Sequence, residues 1–361
     1  MQEVLEQARW WSWRRQRLDR SCRNIDDALR SVVAVPATHP WGPLALLARV
    51  PRLTPGHAAD TTTVQVGFRT RAIKNIPYLM PFDAAHMSVP LGTMVPAVRR
   101  ARKGGRVSAD TYKTTAAKIE RVTTDAPLPR GEVAEILRVR SNLGPIIDRM
   151  VAEGRLTEVA PVSALEDSWS VVETTAWVGD PEPIEPEEAL IRLADGYLAA
   201  YGPATLGDFA EWTGVNETDA RMAFGALKIV DVGGGLMLHE RDARGFDGLR
   251  PWRNRVTLLP RGDSWLMAYD DSLPRFGTPR TLYEAFDSRG FCEPTILVDS
   301  EIAGIWKLTV RKNSARIELG MLRRLDERQT ALLGDELRLV EDFLRSAGLH
   351  LEVDPLPKPK A

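Results

Sequence analysis

Residues 204–238 read ATLGDFAEWTGVNETDARMAFGALKIVDVGGGLML, and their spacing predicts a helix, a tight turn, a second helix and a glycine-tipped hairpin in that order. Leu206, Phe209, Ala210 and Trp212 recur at helical intervals and Gly214 supplies the turn. Asn216 can cap a second helix whose apolar positions are Ala220, Ala223, Phe224 and Leu227. Gly233, Gly234 and Gly235 stand where a wing must reverse. They lack the lysine and helix that follow a phosphate-cradling loop, which favours the wing tip. This is the order of a winged helix-turn-helix. It recurs over residues 129–178, with helices at 130–139 and 145–153, a turn at Ser141 and Asn142, and strands at 156–159 and 169–177. Two such units in one chain favour a nucleic-acid surface over a small-molecule pocket.

Working outward, 361 residues exceed one comfortable core and divide into four blocks. Residues 1–125 form a helical and winged block, with helices at 4–18, 26–35, 44–50, 95–102 and 108–123 and strand-like alternation at 63–69. Residues 126–180 are the second winged unit and 181–245 the third, entered through the proline-rich acidic run GDPEPIEPEEA at 179–189 and a helix at 187–201. Residues 246–361 alternate short β-rich runs, VTLLP, WLMAY, TILVD, IAGIWKLTV and ARIEL, before a helix at 326–347, a strand at 349–353 and a disordered tail, PLPKPKA. The fold class is α+β: tandem winged helix-turn-helix units with a small C-terminal β-rich module.

Hydrophobic content of 43% and charged content of 27% are those of an ordinary globular chain. The formal net charge of −1 argues against indiscriminate coating of nucleic acid but allows a basic face opposed by acidic segments. Arginine outnumbers lysine about four to one, which reflects either the base composition of the gene or a preference for bidentate phosphate contacts. Cys22 and Cys292 form no disulfide or metal pattern, and the five histidines have no metal-ligand spacing. No metal and no cofactor are expected. The amino terminus lacks a secretion signal and no apolar run is long enough to span a membrane, so a cytoplasmic monomer is the expectation.

The densest positive run is RRARKGG at 99–105, continued by Arg106; it offers Arg99, Arg100, Arg102, Lys103 and Arg106 to phosphates. Arg69, Arg71 and Lys74 form a second group, and Arg138, Arg140, Arg149 and Arg155 lie on or beside the second helix of the 126–180 unit. Such groups bind phosphates more than they read bases. In the third unit Glu217 and Asp219 open the second helix and would repel phosphate, so this unit is expected to support the architecture. Trp10, Trp11 and Trp13 invite a stacking role on DNA, but the three-residue spacing of Trp10 and Trp13 fits a buried stripe better. Asp263, Asp270 and Asp271 read as strand-end acids in preference to a catalytic cluster.

The runs RRQRLDR at 14–20, LALLARV at 44–50, YLAAYGPATLGDFAEWTG at 197–214, LLPRGDSWLMAYDD at 258–271 and TILVDSEIAGIWK at 295–307 carry a likeness. On them the chain resembles, over nearly its whole length, the AlkZ-like or YcaQ-like winged-helix family of DNA glycosylases, which excise bulky alkylated purines. The resemblance implies a C-shaped arrangement with a concave face gripping double-stranded DNA. The family's Gln-x-Gln or Gln-x-Asp signature, counted back from Arg49, falls on Pro36-Ala37-Thr38, and its Arg-Gly-Thr-x-His pattern falls on Arg71-Ala72-Ile73-Lys74-Asn75, keeping only the arginine.

An alkylated purine already carries positive charge, so excision needs chiefly a held water and stabilisation of an oxocarbenium-like transition state. Thr38 offers an uncharged hydroxyl, and His39 is the loop's one titratable group; these two are the candidate catalytic residues, with a backbone-bonded loop histidine as the plainer reading of His39. Asp83 and His86 read as a helix-start cap and a surface residue. The expected function is duplex DNA binding tied to recognition and possible excision of alkylated bases. The alternative is a winged-helix damage sensor or regulator without chemistry.

Overall fold

The computed structural model describes residues 2–104, 107–159, 163–180, 183–251, 254–270 and 275–355. Gly105, Arg106, Asp271 and the expected tail from 356 onward lie outside them. Helix Leu206–Thr213 opens on a reciprocal capping box between Thr205 and Asp208 and closes on Gly214 at φ +78°, a left-handed conformation that glycine adopts without strain. The Asn216 side chain accepts from the Asp219 N–H and starts helix Glu217–Gly225. Strand Ile229–Asp231 then pairs antiparallel with Met237–His239, and the Asp231 carboxylate accepts from the N–H groups of Gly233 and Gly235, which fixes the reversal. Helix Pro186–Tyr201 supplies the core beneath: the Tyr197 ring lies 5.2 Å from Phe209 and 5.1 Å from Trp212.

Residues 107–178 repeat the order of three helices and a strand pair. Helices Ala109–Thr123, Arg130–Ile136 and Gly144–Glu153 bury Tyr112, Ile119, Val133, Ile147 and Met150 together against Val171. Strands Leu156–Val159 and Ser170–Glu173 follow. The strand expected over 169–177 stops halfway, because the Glu173 carboxylate accepts from the N–H groups of Thr175 and Ala176 and turns the chain into helix Thr174–Val178.

These strands do not stand alone. They belong to one six-stranded sheet ordered Val35–Pro36, Tyr78–Pro81, Gly67–Thr70, Leu156–Val159, Ser170–Glu173, Leu128–Pro129, in which Arg69 faces Glu158 across the join between the first 125 residues and the next unit. The first stretch is shared in its packing as well. Helices Ile25–Val32 and Trp41–Leu47 pack with Trp306, Ile317 and Leu337 of the C-terminal region, whereas Ile73, Tyr78, Leu91 and Val95 join the core around Tyr197.

The C-terminal sheet is ordered His350–Val353, Ser314–Met321, Glu301–Arg311, Thr295–Val298, Val256–Leu259, antiparallel except that His350–Val353 runs parallel to its neighbour. Helix Glu327–Ser346 packs on it through Leu333, Leu337 and Leu344. The run WLMAY, expected as β, instead carries helix Ser264–Met267, because Asp263 accepts from the Trp265 N–H and caps a turn. Helix Gln2–Arg15 lays Trp10 and Trp13, edge to face at 5.5 Å, into a core with Trp265 and Phe276. Burial withdraws both indoles from any stacking role. Both cysteines are buried and free, and among the described residues no helix is long and apolar enough to cross a membrane.

Candidate nucleic-acid interface

The 36–39 loop is held at both ends by backbone bonds. Strand Val35–Pro36 pairs with Tyr78–Pro81, the Ala37 N–H donates to the Pro77 carbonyl at 3.0 Å, and the Gly42 N–H donates to the Thr38 carbonyl at 2.7 Å as helix Trp41–Leu47 begins. Gly42 is required there, since a Cβ would lie 2.4 Å from the Pro36 carbonyl oxygen. Thr38 is half-buried, and its hydroxyl has no protein partner among the described residues.

His39 turns inward, its side chain 4% exposed. Its ring packs 5.3 Å from Trp169, and Nδ1 lies 3.9 Å from Asp167 Oδ1, beyond hydrogen-bond reach but close enough for ionic attraction. Asp167 Oδ1 also accepts from Trp169 Nε1 at 2.7 Å. The His39 neighbour, with that indole N–H and Arg69, holds the Asp167 carboxyl below the ordinary carboxylate range. The free space beside His39 is about 10 Å³, too little for a nucleobase, and is walled by Ala37, Gly42, Leu46 and Trp169.

Trp169 connects this loop to a buried charge cluster. The Arg69 guanidinium stacks 4.2 Å from its ring centroid and donates to Glu158. Arg130 donates to the same carboxylate at 2.7 Å and to Asp148 at 2.8 Å, and Arg71 stands 3.5 Å away. Burial works to raise the Glu158 carboxyl, but the three arginines outweigh it and hold the group below its usual range.

The cations singled out in the sequence therefore fall into two sets. Arg69 is buried on Glu158, Lys74 pairs with Glu211, and Arg102 donates to the Ala152 and Val89 carbonyls at 2.7 Å each, joining two helices. Arg149 pairs with Glu153 and stacks 3.7 Å from the Tyr112 ring centroid, and Arg155 binds Glu120. Arg99, Arg100, Lys103, Arg138 and Arg140 are exposed and have no protein partner among the described residues. Arg99, Arg100 and Lys103 share helix Pro96–Lys103, which ends at Gly104 with φ +67°. Asp83 receives Arg30 at 2.8 Å and caps no helix.

Asp167, Trp169 and Glu158 escaped the reading of the sequence. Glu158 left one signal, a carboxylate within the apolar strand run LTEV; Asp167 left none, since nothing local ties SALEDSW to residue 39.

A family model described as DNA glycosylase AlkZ-like matches residues 29–343. Among solved structures, the DNA glycosylase AlkZ of Streptomyces sahachiroi superposes with a TM-score of 0.74 at 18% sequence identity, covering 97% of this chain and 99% of that one. No curated protein matches the chain.

Proposed function

The chain belongs to the AlkZ-like DNA glycosylase family, and from that premise we infer that it binds duplex DNA and recognises alkylated bases without excising them. In this reading the helix-helix-hairpin units act as tandem winged helices around a concave face, and the protein works as a cytoplasmic monomer without a cofactor. One observation carries the binding half: Arg99, Arg100 and Lys103 stand exposed and unpaired on one helix while neighbouring cations are consumed inside the fold. The triple variant R99E/R100E/K103E is expected to weaken duplex binding and to lower the slope of log affinity against log salt by about two to three, roughly 0.9 per lost phosphate contact. R221E serves as the control, because Arg221 pairs with Glu217 on an acid-led helix and its loss should leave affinity unchanged. Fluorescence anisotropy across a salt series decides; an unaltered slope in the triple variant removes the interface.

The loss of chemistry is supported by the loop itself. Pro36 brings no polar side-chain atom, and His39 is packed under Trp169 with no room for a base. A second reading, excision, draws on the half-buried Thr38 hydroxyl as a water holder and on His39 beside Asp167 as its general base. The two part on base release from a duplex carrying a bulky N7-alkylguanine, read as alkali-labile breaks. The native chain is expected to bind this duplex more tightly than unmodified DNA and to release nothing. Release that disappears in both T38A and H39A would put the second reading in place of the first.

A further inference from the structure

A cavity of about 730 Å³ opens between the end of helix Gln2–Arg15, the turn after it, helix Ile25–Val32 and the end of helix Pro186–Tyr201. Its wall holds five guanidinium side chains, Arg14, Arg15, Arg17, Arg23 and Arg30, against one carboxylate, Asp27. None of the residues around His39 takes part in it. In a chain of formal charge −1 this is a marked local excess. Carboxylates answer some of it: Arg23 pairs with Asp27 at 3.1 Å, Arg30 with Asp26 at 2.9 Å and Asp83 at 2.8 Å, and Arg15 approaches Asp242 at 3.7 Å. Arg17 donates to the Ser21 hydroxyl at 3.5 Å, and its charge also acts on Asp27. Trp11 also lines the cavity, and the Arg15 guanidinium lies 5.8 Å from its ring centroid.

We propose that this cavity is a binding site for phosphate esters. Guanidinium groups match phosphate oxygens two at a time. The volume lies within the roughly 300–1,000 Å³ of small-ligand sites, larger than a lone phosphate needs. Where the ester belongs to a DNA strand, the site rests on the duplex-binding reading and extends it; where it belongs to a free nucleotide, it stands without that reading.

Arg14 and Arg17 are exposed, so R14Q/R17Q should keep the native thermal midpoint in chloride buffer. Two responses of the full chain are then compared at matched ionic strength: the rise in thermal midpoint on adding pyrophosphate, and the salt slope of duplex binding. A bound anion stabilises the native state by mass action, so the native chain should gain midpoint with pyrophosphate and the variant should not. The duplex slope should fall by about two in the variant if strand phosphates enter the cavity. Loss of the pyrophosphate response alone assigns the site to free phosphate esters, and loss of the duplex response assigns it to the strand. A variant that retains both native responses overturns the proposal. A native chain that binds no duplex ends the duplex reading and leaves the pyrophosphate comparison to decide the cavity.

Discussion

Replacing Asp263 by alanine is expected to destabilise the chain by about 3–5 kcal/mol, the usual effect of stripping one partner from a buried ion pair. Asp263 and Arg49 are both fully buried, and the guanidinium donates in parallel to the two carboxylate oxygens at 2.8 and 2.9 Å. Arg49 also donates to the Ala45 carbonyl at 2.8 Å and to Gln16 at 3.3 Å, so its position is set from three segments. Without the carboxylate, a full positive charge would remain fully buried and without its counter-ion. The same substitution removes the cap on the Trp265 N–H, a further loss on the order of 1 kcal/mol. Chemical denaturation of native, D263A and the double variant R49M/D263L tests the cause. The double variant should recover most of the loss, because an apolar pair of similar volume has no stranded charge; a D263A midpoint near native would refute the account.

The second large effect is expected at Glu158. E158A leaves Arg69 buried without its partner and Arg71 and Arg130 crowded beside it, again about 3–5 kcal/mol. Acid should imitate this substitution. Because the folded carboxyl titrates below its unfolded counterpart, near 4.3, its stabilisation is complete above that value and is lost as the pH falls through the folded one. E158Q should therefore be less stable than native at pH 7 and show a flatter decline between about pH 5 and pH 3. Thermal midpoints across that range check it, and parallel acid limbs for the two proteins would count against the assignment.

Local signals made much of the fold readable. Gly214 and Asn216 act within four residues of themselves, so the helix borders they set could be read from the chain alone. The failures have the same origin. At 173–178 and 263–267 a carboxylate caps a turn inside a run whose composition favours strand, and apolar patterning over five residues cannot separate the two. The site was harder to read. Arg99 and Arg102 are indistinguishable in sequence, and only the approach of Val89 and Ala152 consumes one of them. The motifs at 44–50 and 258–271 gain a physical meaning from Arg49 and Asp263, which are the two ends of one contact 214 residues apart.

The pairing of Gly67–Thr70 with Leu156–Val159 decides how the molecule can be divided. Severing the chain near residue 125 would uncover the edge of Gly67–Thr70 on one piece and that of Leu156–Val159 on the other, and open strand edges invite self-association. Neither piece is an exchangeable building brick. The amino-terminal part must wait during synthesis until residue 173 has left the ribosome before its sheet can be completed.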